Sequence, residues 1–128
     1  MKIREKILPV LQPVGGDEEI KNLSESISNG WWGKGPKVAQ FEKEFAEMVG
    51  SKYAVAVTSN TAGQDLVIKA LGLKGCDIIS PTMSFMTTAV VPLWNDCTST
   101  IADVLDNTLC IDPEDVRKLL GELPMPIF

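Results

Sequence analysis

Three features of this 128-residue chain predict an α/β fold with a mostly parallel sheet. Short, continuously apolar runs alternate with amphipathic helical segments, the pattern of strands covered by crossover helices. The composition, 45% apolar and 23% charged, is that of a folding globular chain. The length suits one compact domain or part of one, here divided into a tail over residues 1–16 and an α/β portion over 17–128.

The elements follow in chain order. Pro9, Pro13, Gly15 and Gly16 mark the tail, and Asp17 stands where a cap would start a polar helix over 18–28, ended by Asn29 and Gly30. Trp31, Trp32, Gly33, Lys34, Gly35 and Pro36 combine large aromatics with glycines and a proline, as in an ordered loop with close backbone approaches. Val38, Phe41, Phe45 and Met48 recur at spacings of three and four, predicting an amphipathic helix over 37–49 that Gly50 ends. The apolar run 53–57 is too short for a helix and reads as a strand buried on both faces. Thr58, Ser59, Asn60 and Thr61 are cap types before a helix marked by Ala62, Leu66, Val67, Ala70 and Leu71, which Gly72 and Gly75 close. A second strand is predicted over 77–80, a helix or loop and helix over 83–95, and a third strand over 99–104. Asp112 and Pro113 start a last helix that runs through Leu120.

Composition excludes several functions. Twelve Lys and Arg against seventeen Asp and Glu give a net charge of -5, the wrong sign for a phosphate-backbone binder, so no nucleic-acid partner is expected. Without histidine there is no Ser-His-Asp or Cys-His pair and no His-containing metal site. Cys76, Cys97 and Cys110 are odd in number and widely spaced, so neither a disulfide framework nor a zinc site is expected, and they read as buried or half-buried thiols in a reducing compartment. Charges at Lys2, Arg4, Glu5 and Lys6 argue against a signal peptide, and no run approaches the roughly 20 apolar residues of a membrane span. A cytoplasmic protein with no membrane partner is expected.

The turn 58–62 is the strongest local signal, since backbone N–H groups at a helix N-terminus beside a strand end form an anion site. Ser59 or Asn60 acting only as a cap explains the same residues. Neither a dinucleotide fingerprint nor a nucleoside-triphosphate loop is present. Phe85, just after the second strand, is placed to lie over a ligand or to fill the core. The loop of Trp31, Trp32 and Lys34 suits contact with a substrate or partner subunit, or local packing. Asp103 has the position of a site residue and equally that of a turn carboxylate.

Read together, Gly33 to Val38, Phe41 to Ala46, Ala54 to Ala62, Ser80 to Phe85, Ile101 to Val104 and Asn107 to Asp112 resemble the opening section of the DegT/DnrJ/EryC1/StrS family. The blocks match in order and spacing from about residue 17 to residue 120. The resemblance implies the N-terminal part of a fold-type I transferase large domain, a three-layer α/β/α unit that uses pyridoxal 5'-phosphate. It further implies a homodimer, a nucleotide-linked keto sugar as substrate and an amino-acid donor, chiefly glutamate, although some relatives dehydrate their sugars instead. Such enzymes serve cell-surface polysaccharide or amino-sugar biosynthesis. By the resemblance, the phosphate-gripping backbone falls on Thr61 and Ala62 beside Asn60, and the ring stacked on the cofactor falls on Phe85.

The family's Schiff-base lysine and its pyridine-nitrogen aspartate come later than this sequence reaches, so no catalytic residue is assigned. Lys52, Lys69 and Lys74 match no such position. The last eight residues depart from the strand the family has there, and Gln64 and Asp65 are more polar than the family pattern. A truncated chain, inactive alone, is therefore expected. The alternative is a non-catalytic binding or assembly module that keeps the phosphate turn.

Overall fold

The computed structural model describes residues 11–122 and divides into two compact units, Met1–Ala56 and Val57–Phe128. The expectations for Pro9 and for residues 123–128 lie outside the described residues.

In the first unit, α1 is Asp17–Ser28 and α2 is Pro36–Val49. Asp17 is not the cap of α1 but its first residue. Extended Gly16 takes the cap position, and its N–H donates to Glu19 Oε2 at 2.6 Å, so a carboxylate reaching back replaces the expected aspartate. Asp17, Glu18 and Glu19 all lie in the first turn, where the helix dipole favours anions. In α2, Pro36 occupies the first turn and Gly50 ends the helix at φ 70, with Ser51 N–H donating to Ala46 O at 2.9 Å. The predicted periodicity is present but largely uncovered: Ala46 is buried, whereas Phe41, Phe45 and Met48 are exposed.

Residues 53–57 correct the sequence reading. They form no strand, because no neighbouring strand among the described residues offers them a ladder. Tyr53 and Val55 are 75% and 72% exposed rather than buried on both faces.

The second unit holds α3 (Asn60–Leu71), β1 (Asp77–Pro81), α4 (Thr87–Trp94), β2 (Thr98–Ala102) and α5 (Pro113–Glu122). Strands β1 and β2 pair in parallel from Asp77 opposite Thr98 to Pro81 opposite Ala102, joined through α4 as the alternating pattern predicts. The third predicted strand stops earlier than expected. After Ala102 the Asp103 N–H turns to Asp115 Oδ2 at 2.8 Å, and Val104 bridges Ile111 antiparallel. Ile68 from α3 and Val91 from α4 meet Cys76 and Cys97 in the core, with Leu73 and Ile78 against them. Cys110, expected to be at least half-buried, is exposed in the turn before α5. Asp112 Oδ1 accepts from Glu114 N–H at 2.9 Å, which starts α5 as the Asp-Pro pair predicts. The architecture among the described residues is an α/β unit with parallel strands. Among the described residues no helix is long and apolar enough to cross a membrane.

Candidate functional site at the start of α3

The N-terminus of α3 is set by Ser59. Its extended backbone presents Oγ to the Ala62 N–H at 3.1 Å, and Gly63 N–H donates to Ser59 O at 3.1 Å. Ser59 is therefore the cap, and Ala62, whose amide the resemblance assigned to a phosphate, spends that amide on the cap. The Asn60 and Thr61 N–H groups find no acceptor among the described residues, so the positive end of the helix keeps two donors.

A hydroxyl network ties this turn to the segment after β1. Thr61 Oγ1 donates to Thr87 Oγ1 at 3.2 Å. Gln64 Nε2 bonds both Asn60 Oδ1 at 2.7 Å and Thr88 Oγ1 at 3.3 Å, and the Ser84 and Thr88 hydroxyls are 2.9 Å apart. These bonds hold the loop carrying Phe85 beside the α3 terminus. Phe85 is 74% exposed rather than packed in the core of this unit. Thr87, Thr88 and Gln64 were not singled out as site residues. Their signal was the i,i+4 spacing of Asn60 and Gln64, together with two adjacent threonines opening an otherwise apolar helix.

Beside this turn lies a cavity of about 500 Å³, lined by Val57, Gln64, Ile68, Ile78, Ser80 and Thr88 among others. Gln64 Oε1 and Ser80 Oγ are buried there without a hydrogen-bond partner among the described residues. Two further carboxylates of this unit have structural partners. Asp65 accepts from Lys69 at 2.7 Å and from the buried Asn95 at 2.9 Å, and these two bonds hold its carboxyl below the usual range. Asp103 Oδ1 accepts from Val104 N–H at 2.8 Å, the turn role rather than a site role.

Trp32 and Lys34 belong to the first unit. Trp32 is 82% exposed, and its indole N–H donates to Ile27 O at 3.4 Å. Trp31 lies so close over Gly35 that a Cβ there would meet its ring at 3.0 Å, the close approach the loop composition predicts. Lys34 Nζ lies 3.5 Å from Glu42 Oε1, and the same oxygen accepts from Ala56 N–H at 3.0 Å. The Ala56 bond first, and Lys34 second, hold the Glu42 carboxyl below its ordinary value against partial burial.

Residues 13–123 match the DegT/DnrJ/EryC1/StrS aminotransferase family. The chain belongs to that family. It is 46% identical over 111 residues to the spore coat polysaccharide biosynthesis protein SpsC of Bacillus subtilis (strain 168), covering 86% of this chain and 28% of SpsC. Among solved structures, it resembles the E. coli GDP-4-keto-6-deoxy-D-mannose-3-dehydratase with bound hydrated PLP at 32% identity and a TM-score of 0.78. That match covers 86% of this chain and 30% of the dehydratase. It also resembles an aminotransferase from Psychrobacter cryohalolentis at 27% identity and a TM-score of 0.75, over 83% of this chain and 28% of that one. This member of the DegT/DnrJ/EryC1/StrS family thus spans less than a third of the proteins it matches.

Proposed function

We propose that this chain supplies the phosphate grip and the stacking ring of a pyridoxal-phosphate-dependent aminotransferase acting on a nucleotide-linked keto sugar. The observation that carries the reading is the start of α3, where two unpaired N–H groups stand beside an exposed Phe85 through the Thr61–Thr87 hydroxyl pair. The residues fit the cofactor: the amides of Asn60 and Thr61 suit a phosphate dianion, and a flat ring suits one face of a pyridine. Ala62 enters the grip only when Ser59 Oγ releases its amide. When bound, the cofactor supplies the electron sink that stabilises a carbanion on an amino-acid or amino-sugar carbon. The part of this chain is to hold the phosphate, fix the ring plane and leave its other face open.

Glutamate as amino donor, a homodimer, a role in cell-surface polysaccharide or amino-sugar biosynthesis and a cytoplasmic location belong to the same proposal. The polysaccharide role is supported by the name of SpsC, and the nucleotide-linked sugar by the GDP-sugar in the name of the dehydratase. Trp32 and Lys34, on an exposed loop, are assigned to contact with the sugar substrate or partner subunit. No residue of this chain is assigned the Schiff-base or the pyridine-nitrogen role.

Calorimetric titration of the chain with pyridoxal 5'-phosphate, and separately with unphosphorylated pyridoxal, tests the grip. The expected result is saturable binding of the phosphate ester, weaker by about tenfold or more for pyridoxal and for the Phe85→Ala variant. Equal affinities for the two ligands, or no saturable binding of either, overturn the reading.

A further inference from the structure

Cys76 and Cys97 play no part in the site described above, yet they stand side by side just before the first rung of the sheet. Each immediately precedes a strand, and the register that sets Asp77 opposite Thr98 sets these two side by side, with Thr98 N–H donating to Cys76 O at 2.9 Å. Their Sγ atoms are 3.5 Å apart and both side chains are buried, at 1% and 5% exposure. Neighbouring strands lie about 4.8 Å apart, inside the Cα window of a disulfide, so closing the bond asks the sulfurs to approach by about 1.5 Å. Both strand entries are turns rather than ladder interior: Gly75 and Asp96, just before the two cysteines, have φ of 59 and 57, and Gly75 N–H donates to Asp96 O at 2.8 Å.

We propose that Cys76 and Cys97 are a modification site, a dithiol that a peroxide converts to an intrachain disulfide bridging the starts of β1 and β2. Cys97 Sγ, on the more exposed of the two residues, attacks one oxygen of hydrogen peroxide; the O–O bond breaks, the sulfur becomes a sulfenic acid and the other oxygen leaves as the first water. Cys76 Sγ then attacks that sulfur and displaces the hydroxyl as a second water. Two electrons pass from the sulfurs to the peroxide, and the two thiol protons end in the waters. Burial and the neighbouring thiol keep the Cys76 proton in place at neutral pH, so the reaction is slow and the pair stays reduced in a reducing compartment. The bridge closes the β1–α4–β2 crossover into a ring and fixes the scaffold from which the Phe85 loop projects.

The test is hydrogen peroxide treatment of the native chain, alkylation in urea, and non-reducing peptide mapping. A single peptide pair joining Cys76 to Cys97 is expected, retained in Cys110→Ser and lost in Cys97→Ser. Cys110→Ser keeps only the two core thiols and so carries the test even where Cys97→Ser does not fold. The proposal is overturned when both core thiols are recovered alkylated after peroxide has oxidised Cys110. In the three-thiol chain, a pairing pattern the same as that of the urea-unfolded chain also overturns it.

Discussion

Ser59 does two things at once. Its hydroxyl satisfies one of the orphan amides of α3, and in doing so it withholds that amide from an incoming anion. Ser59→Ala is therefore expected to weaken α3 by about 1 kcal/mol, read as faster hydrogen exchange of its amides, while leaving three N–H groups for a phosphate instead of two. Affinity for pyridoxal 5'-phosphate should hold or rise as stability falls, and a parallel loss of both would assign Ser59 to the ligand rather than to the cap. At this scale the sequence was legible where the chemistry is local. The cap types before the helical pattern left Ser59 or Asn60 as the cap and Ser59 takes it, while Asp112 before Pro113 starts α5 as expected. Legibility failed at Asp17, displaced because Glu19 could reach the Gly16 amide, and at Cys110, whose burial depends on what packs over it.

Elements sort by the same criterion. The helices could be read because periodicity, Pro36 and the left-handed glycines Gly50 and Gly72 act within a few residues of themselves. The run 53–57 could not, since an apolar composition specifies a strand only when a partner supplies its hydrogen bonds. What holds this segment is a side chain: Glu42 in α2 accepts the Ala56 N–H at 3.0 Å. The contact makes a pH prediction. The carboxyl is held below its ordinary value of 4.5 in the folded chain, chiefly by the Ala56 N–H, so its contribution is fully present above the unfolded value. It is lost as pH falls through the lower folded value. Hydrogen exchange should show the Ala56 amide protected above that window and open below it, and Glu42→Gln should remove the pH step. A step that survives in Glu42→Gln would assign it to another carboxylate.

For the whole molecule, the question is how 128 residues behave when they span 28% of the length of a relative 46% identical to them. Among the described residues β1 is paired only with β2, leaving its other edge open beside a largely apolar cavity. Tyr53, Val55, Phe41 and Met48 expose further apolar surface at 75%, 72%, 56% and 72%. An open strand edge and, separately, an unpaired apolar run with valine at every second position are each a template for pairing between chains. The core offers little to set against this, since Val91, Pro92 and Cys76 are the largest side chains fully buried. The chain expressed by itself should therefore sediment as a polydisperse mixture and unfold without a sharp heat-absorption peak. Val55→Lys places a charge in the exposed run and should raise the monomer fraction without touching the α3 turn, because its partner in aggregation is another copy of the chain. A parent chain that sediments as one species and melts in one cooperative transition would sink this prediction, and would mean that the open edge of β1 is covered in solution.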